Sequence, residues 1–334
     1  MMRQGFLSLQ RRSACRWAAD KKGGILILSL WSICLLTTFA VVLSYGVRQK
    51  LTLVKRLDDR DKLRFIADAG VKKAIIELKT ITGSDDDLDS NWTMAMSAFK
   101  EITVGDGKAR YAIIDEERKI NIKTAKRPTL QRLFQIVLNL DEMESQKIAA
   151  SIIDWRDEDS MLTIPLGSAE DSDYRSLRYP YEAKDAEFEL IDELLLVKGV
   201  TADIFEQIKD YVTIYGEGKV NVNTASKEIL LTLGLENSVA NMICLYRRGE
   251  DGMKGTEDDN IFSGKSVIAP RLSQFYNLSD SELTNLSQIV SKHLDTDSQN
   301  FTIKSIATLS NRKISTEVNC VIGKDGKILH WHES

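Results

Sequence analysis

The chain has 334 residues, with 45 Lys+Arg against 49 Asp+Glu and 43% apolar residues. A formal charge of −4 with this apolar content excludes a disordered polyelectrolyte and a strongly basic nucleic-acid binder. Only 4 Pro and 19 Gly, spread throughout, exclude collagenous or low-complexity architecture and leave apolar material for two or three domains. The first element is announced by a basic flank, Arg3, Arg11, Arg12, Arg16, Lys21 and Lys22 opposed only by Asp20, and by Gly23-Gly24. The next 23 residues, Ile25–Val47, carry no charge. As a helix they span about 35 Å, enough to cross a bilayer. The positive-inside rule keeps the basic flank cytoplasmic and places the bulk of the chain beyond the inner membrane, in the periplasm. Val47, Leu51, Val54, Leu57, Leu63, Ala67, Val71, Ala74 and Leu78 recur at three- and four-residue steps, so the same helix is predicted to run to about Ile81. An acidic loop is expected at Gly83–Asp89, then a hairpin of Ala109–Asp115 with Lys119–Ile122. Helical patterns follow at Thr129–Leu138, Met143–Trp155, Phe188–Val197, Ala202–Tyr211, Ser226–Leu233, Ser238–Arg248 and Ser279–His293. Strands return at Phe301–Thr308, Glu317–Gly323 and Lys327–Trp331. The fold class is α+β, a small antiparallel sheet interrupted by a helical insertion.

The insertion contains a duplication. Lys119–Ala125 (KINIKTA) and Lys219–Ala225 (KVNVNTA) lie 100 positions apart, and each precedes two helices and an acidic loop. Their asparagines read as turn and cap residues. The second copy resembles a helix-hairpin-helix, a module that holds DNA phosphates on backbone amides, with Gly234-Leu235-Glu236 as the hairpin. Glu236 stands where the second glycine would, so no nucleic acid is expected, although Arg247 and Arg248 keep a membrane-anchored DNA-binding or uptake protein as the alternative. The three histidines, His293, His330 and His332, form no catalytic set, and no phosphate-binding glycine loop is present, so no enzyme is expected. His330 and His332 share a strand face that is read as solvent-facing. Cys244 and Cys320 are read as buried thiols, with a disulfide between them left open. In the loop Glu250–Asn260, the oxygens of Asp251, Thr256, Glu257, Asp258 and Asp259 are dense enough for a hard cation such as Ca²⁺, which takes six to eight, or they are simply solvated. Asp154, Asp157 and Asp159 are a weaker candidate group.

Lys21–Leu36, a basic stretch ending in Gly and followed directly by an apolar helix, resembles a type IV prepilin leader and stem. The segments Ile113–Ala125, IIDWRDEDS, FELIDELLLVKGVT, GKVNVNTASKEIL and VIGKDGKILHWHE, taken in order over the whole chain, resemble the large minor pseudopilins of type II secretion systems, the general secretion pathway protein K family. The resemblance implies a pilin-like fold with a leader at 1–23, a stem helix at 24–82 with its transmembrane segment at 24–47, a core at 83–124 and 294–334, and an α-helical insertion at 125–293. It implies prepilin-peptidase cleavage between Gly23 and Gly24, methylation of the mature N-terminus and calcium in the insertion. It further implies I- and J-type minor pseudopilins and other inner-membrane secretion components as partners, no catalysis, and a place at the pseudopilus tip. A minor pilin of a type IV pilus is a further alternative. Loss of six basic and one acidic residue with the leader takes the net charge to −9. Major pilins carry Glu at the fifth mature position, where it meets the ammonium of the subunit ahead; here that position is Leu28, which suits a leading subunit. Leu28, Leu51, Val54 and Leu57 are expected to pack against neighbouring stems.

Overall fold

A computed structural model describes residues 21–82, 99–165, 167–310 and 314–334. The acidic loop expected at 83–89 and all but the end of the leader lie outside them. The first element, α1, is a single helix, Lys21–Thr82. The chain divides into two compact units within it, Met1–Asp61 and Lys62–Ser334. In the first unit the side chains from Ile25 to Val47 are nearly all exposed, and among the described residues this is the one helix long and apolar enough to cross a membrane.

In the second unit the same helix becomes amphipathic and buries Leu63, Ile66, Ala67, Val71, Ala74 and Leu78 against a sheet. The approach is closest at Gly70, where a Cβ would lie 2.3 Å from Ser305 Oγ. That hydroxyl donates to the Ala67 carbonyl at 2.9 Å. Further along, Glu77 accepts from Tyr111 Oη at 2.8 Å and from Lys100 Nζ at 3.0 Å. Partial burial works against the Glu77 carboxylate, but these two donors outweigh it and hold its pKa below the usual value.

Strand β1 (Lys100–Val104) turns into β2 (Gly107–Asp115), whose strict alternation places Ala109, Tyr111 and Ile113 in the core. The expected hairpin of Ala109–Asp115 with Lys119–Ile122 does not form. Asp115 accepts the Glu117 amide and closes a 3₁₀ turn, Glu116–Arg118, which carries the chain out of the sheet. The next strand, β3 (Ile120–Asn121), pairs in parallel with β4 (Val212–Thr213). Between them lie α2 (Arg127–Leu138), α3 (Glu142–Arg156), the short α4 (Asp171–Arg175), a 3₁₀ segment at Ile191–Leu196 in place of the helix expected there, and α5 (Ala202–Ile208). The second copy repeats the plan: β5 (Val220–Asn221), α6 (Lys227–Thr232), α7 (Asn237–Arg247), α8 (Lys265–Phe275), α9 (Asp280–His293) and β6 (Leu294–Asp295), which pairs in parallel with β5. Helix starts are set by Asp141, Thr201, Ser226 and Ser279, each accepting an amide of the first turn. Helix α8, with Pro270 inside it, was not legible from the pattern.

Strands β7 (Asn300–Leu309), β8 (Ser315–Gly323) and β9 (Ile328–Glu333) complete an antiparallel sheet of order β1-β2-β7-β8-β9. Two apolar cores result, one between α1 and the sheet and one inside the insertion. Cys320 is buried in the first and Cys244 packs against the second; both are free thiols, so the disulfide left open does not form.

Candidate functional site: the stem, the buried junction and two acidic loops

Leu28, Leu51, Val54 and Leu57 all lie in the first unit with 54–72% of their surface exposed. An apolar helix face this uncovered needs lipid or protein against it. Gly23 and Gly24 sit in the first turns of α1, and space around Gly24 is open.

The sheet and the insertion meet at three consecutive acids, Asp115, Glu116 and Glu117, all buried. Asp115 accepts from the Glu117 amide at 2.8 Å, from Asn221 Nδ2 at 3.1 Å, from Ser298 Oγ at 2.7 Å and from Thr224 Oγ1. Burial still pushes its carboxyl up to about 7, against the pull of those donors. Glu116 binds Lys119 at 2.6 Å, Thr213 at 2.6 Å and Thr302 at 2.7 Å, and Glu117 takes the side-chain amide of Asn300 at 2.8 Å. Every carboxylate is satisfied, which is the signature of a structural joint.

The duplication has one internal lock per copy. Arg156 donates to the carbonyls of Ile122 and Ala125, and Arg247 donates to those of Val222 and Ala225, both at 2.7 Å. Asn121 and Asn221 take the amides of Lys123 and Asn223, so the asparagines are turn residues as expected. Gly218, at φ +85, leaves the backbone so close to Thr124 that a Cβ would sit 2.1 Å from its hydroxyl. Arg247 is thus committed to main chain. At the hairpin Gly234-Leu235-Glu236, Leu235 is buried and Glu236 starts α7 with its side chain exposed.

The two acidic loops differ. In the later one, Asp258 takes the amides of Glu250 and Asp251 at 2.7 and 3.0 Å and the Thr256 hydroxyl at 2.8 Å; those bonds lower its pKa. Asp251 takes the Met253 amide at 2.7 Å and Asp259 takes that of Gly255 at 2.6 Å, while Glu257 is exposed. These oxygens are largely spent on the loop's own backbone, although Asp259 Oδ1 is buried and unpartnered.

After α3 the arrangement is open at its centre. Asp157, Asp159 and Glu170 each offer an oxygen within 4.8 Å of the others. Asp154 is fully buried beside them; one of its oxygens takes the Thr163 amide at 3.0 Å and the other has no partner. Asp157 Oδ1 and Glu170 Oε1 are likewise buried and unpartnered. Burial, then the charges of Asp154 and Asp159, push Asp157 up to about 6; burial, then Asp154, Asp157 and Asp185, push Glu170 up to about 7. Glu170 was not among the sequence candidates. It lies across a loop from Asp157, and only its place at the start of α4 marks it, as a cap.

Comparison with known proteins bears on this arrangement. The family described as type II secretion system protein K matches residues 111–217, the joint and the first copy of the duplication. A type II secretion system protein K from Aeromonas hydrophila is 25% identical over 288 residues, 79% of this chain and 80% of that protein. A chain of the GspK-GspI-GspJ complex from the enterotoxigenic Escherichia coli type 2 secretion system superposes with a TM-score of 0.64 over 84% of this chain and 99% of that one, at 17% identity. The fold is therefore α+β and pilin-like, a long apolar helix leading into a small antiparallel sheet. Residues 111–217 match the protein K family of type II secretion systems, and over most of its length the chain is similar to a protein K of such a system.

Proposed function

We propose that this protein caps the tip of the periplasmic pseudopilus, is held there with I- and J-type minor pseudopilins, and helps to start assembly of the filament that exports proteins across the outer membrane. The observation that carries this reading is the uncovered apolar side chains of α1 at Leu28, Leu51, Val54 and Leu57, on a helix whose second half buries Leu63, Ile66, Ala67, Val71, Ala74 and Leu78 against its own sheet. Such a face suits lateral packing against other apolar stems. Leu28 lacks the carboxylate that would bind a forward subunit's ammonium, which suits a subunit with nothing ahead of it. The resemblance of the fold to a chain solved with GspI and GspJ names the partners to test. The role is one of scaffold and anchor, without catalysis. Prepilin peptidase cleaves between Gly23 and Gly24, the new N-terminus is methylated, and the stem stays in the inner membrane with the bulk in the periplasm, in contact with other inner-membrane secretion components. The test is co-purification of the full chain with I- and J-type pseudopilins, with immunogold labelling of overproduced filaments. Label confined to one end is the expected result; label along the shaft, or no co-purification, rejects it.

The insertion also holds calcium in this reading, at Asp154, Asp157, Asp159 and Glu170. Three of these residues carry buried oxygens without a partner, all four are hard ligands, and their mutual repulsion needs a cation. The loop at Asp251–Asp259 fits less well because its carboxylates already cap amides. A bound ion would neutralise the cluster and fix the loop that follows α3. A DNA-binding reading has little support: Arg247 is spent on carbonyls and Glu236 would face any phosphate at the hairpin.

A further inference from the structure

Both copies of the duplicated unit lead into an acidic loop, but the residue directly after the clasping arginine differs in charge. After Arg156 the first copy presents Asp157 and Asp159; after Arg247 the second presents Arg248, with Lys254 further along the loop. Arg118, from the turn after β2, and Lys227, from the first turn of α6, join Arg247, Arg248 and Lys254 in lining a cavity of about 530 Å³. Glu228 and Asp259 are the acids on its wall, so the lining carries a net charge of +3 in a chain whose total is −4. Among the described residues, the side chains of Arg118, Lys227, Arg248 and Lys254 have no hydrogen-bond or ion-pair partner. Lys254 is exposed as a whole residue, yet local burial, then the charges of Arg247 and Arg118, lower its pKa. Cations crowded in this way repel one another, and an anion among them removes that cost. The Gly234-Leu235-Glu236 hairpin is not part of the lining, so the cavity is separate from a helix-hairpin-helix phosphate grip.

We propose that this cavity is a binding site for a small oxyanion of the sulfate, phosphate or dicarboxylate class. Arg118, Arg248 and Lys254 supply the charge-assisted hydrogen bonds, and Arg247 adds charge from beneath while holding the Val222 and Ala225 carbonyls. The volume exceeds that of one sulfate, so the anion shares the cavity with water. The site would make the second copy of the duplication an anion receptor where the first is a cation receptor.

The test is calorimetric titration of the full chain in detergent with sodium sulfate, which does not strip calcium, and in a second arm with succinate. Saturable binding is expected, weakened by about tenfold or more in Arg118→Gln/Lys254→Gln and strengthened at low ionic strength. Lys324→Gln/Lys327→Gln, which removes the same charge at the β8–β9 turn, should bind as the parent does. Arg248→Gln, at an exposed position, serves if the first double variant unfolds and should weaken binding in the same direction. Absence of saturation in both arms, or equal weakening in the two double variants, overturns the proposal. Displacement of sulfate by duplex DNA at far lower concentration would overturn it in favour of a nucleic-acid site.

Discussion

Asp115 concentrates the chemistry of the joint at a single carboxyl group. Asp115→Ala would leave Asn221, Thr224 and Ser298 with buried donors facing nothing, a loss of about 3 kcal/mol or more, measurable as a shift in denaturant midpoint. Its pKa, raised to about 7 from 3.8, also sets a pH dependence. A carboxyl whose folded pKa lies above its unfolded value takes a proton more readily when folded, so stability falls as pH rises from near 4 to near 7 and is flat above. Asp157, near 6, and Glu170, near 7, act in the same direction without metal. Glu77, with a lowered pKa, opposes them only in acid, where its contribution is lost as it is protonated. Chelator-treated protein should therefore melt higher at pH 6 than at pH 8. Calcium should raise the midpoint more at pH 8, where it does not compete with protons, and equal midpoints with and without Ca²⁺ at both pH values would remove the metal site. Of these residues, Asp154, Asp157 and Asp159 were visible in the sequence as a run at a helix end. Glu170 was not, because only the folded loop brings it back to them.

The elements with a clean period were legible, and those made by distant pairing were not. Helix α2 and helix α9 follow their apolar spacing to within two residues. The short strand Ile120–Asn121 was assigned to the wrong partner because its real one, Val212–Thr213, lies beyond a whole subdomain and pairs in parallel. Helix α8 was missed because Pro270 interrupts the pattern, although its carbonyl losses are tolerated at a surface helix. Arg247→Leu removes the clasp on Val222 and Ala225 and should cost about 2–3 kcal/mol by thermal melting, with Arg247→Lys recovering only part, since one ammonium lacks the guanidinium's fork. Gly70→Val should loosen α1 from the sheet, because its side chain would enter the space of Ser305 and Ala109; faster amide exchange across Tyr111 and Ser305 is the expected readout.

For the molecule as a whole, the long apolar helix was the most legible part, since the run Ile25–Val47 carries no charge. Assembly should depend on it in a way that folding does not. Leu51→Asp, Val54→Asp and Leu57→Asp place charge on side chains that are more than half exposed and lie outside the second unit, so co-purification with I- and J-type pseudopilins should be lost while the melting of the second unit is unchanged. Leu28→Glu should leave initiation unchanged or lower it, whereas a subunit from the filament interior would gain incorporation.

The strands that flank the insertion are neighbours, with Glu116 hydrogen-bonded to Thr302 across 186 positions. Bringing such remote points together costs about 3 kcal/mol more in chain entropy than closing a four-residue hairpin. An insertion that folds first presents its two ends side by side and removes most of that cost before the sheet begins to form. The insertion then acts as an internal template for its host, and if calcium binds it as proposed, the ion should accelerate sheet formation as well as protect the finished molecule. Stopped-flow refolding with and without Ca²⁺, followed through Trp331 on the outer strand, would separate these two effects.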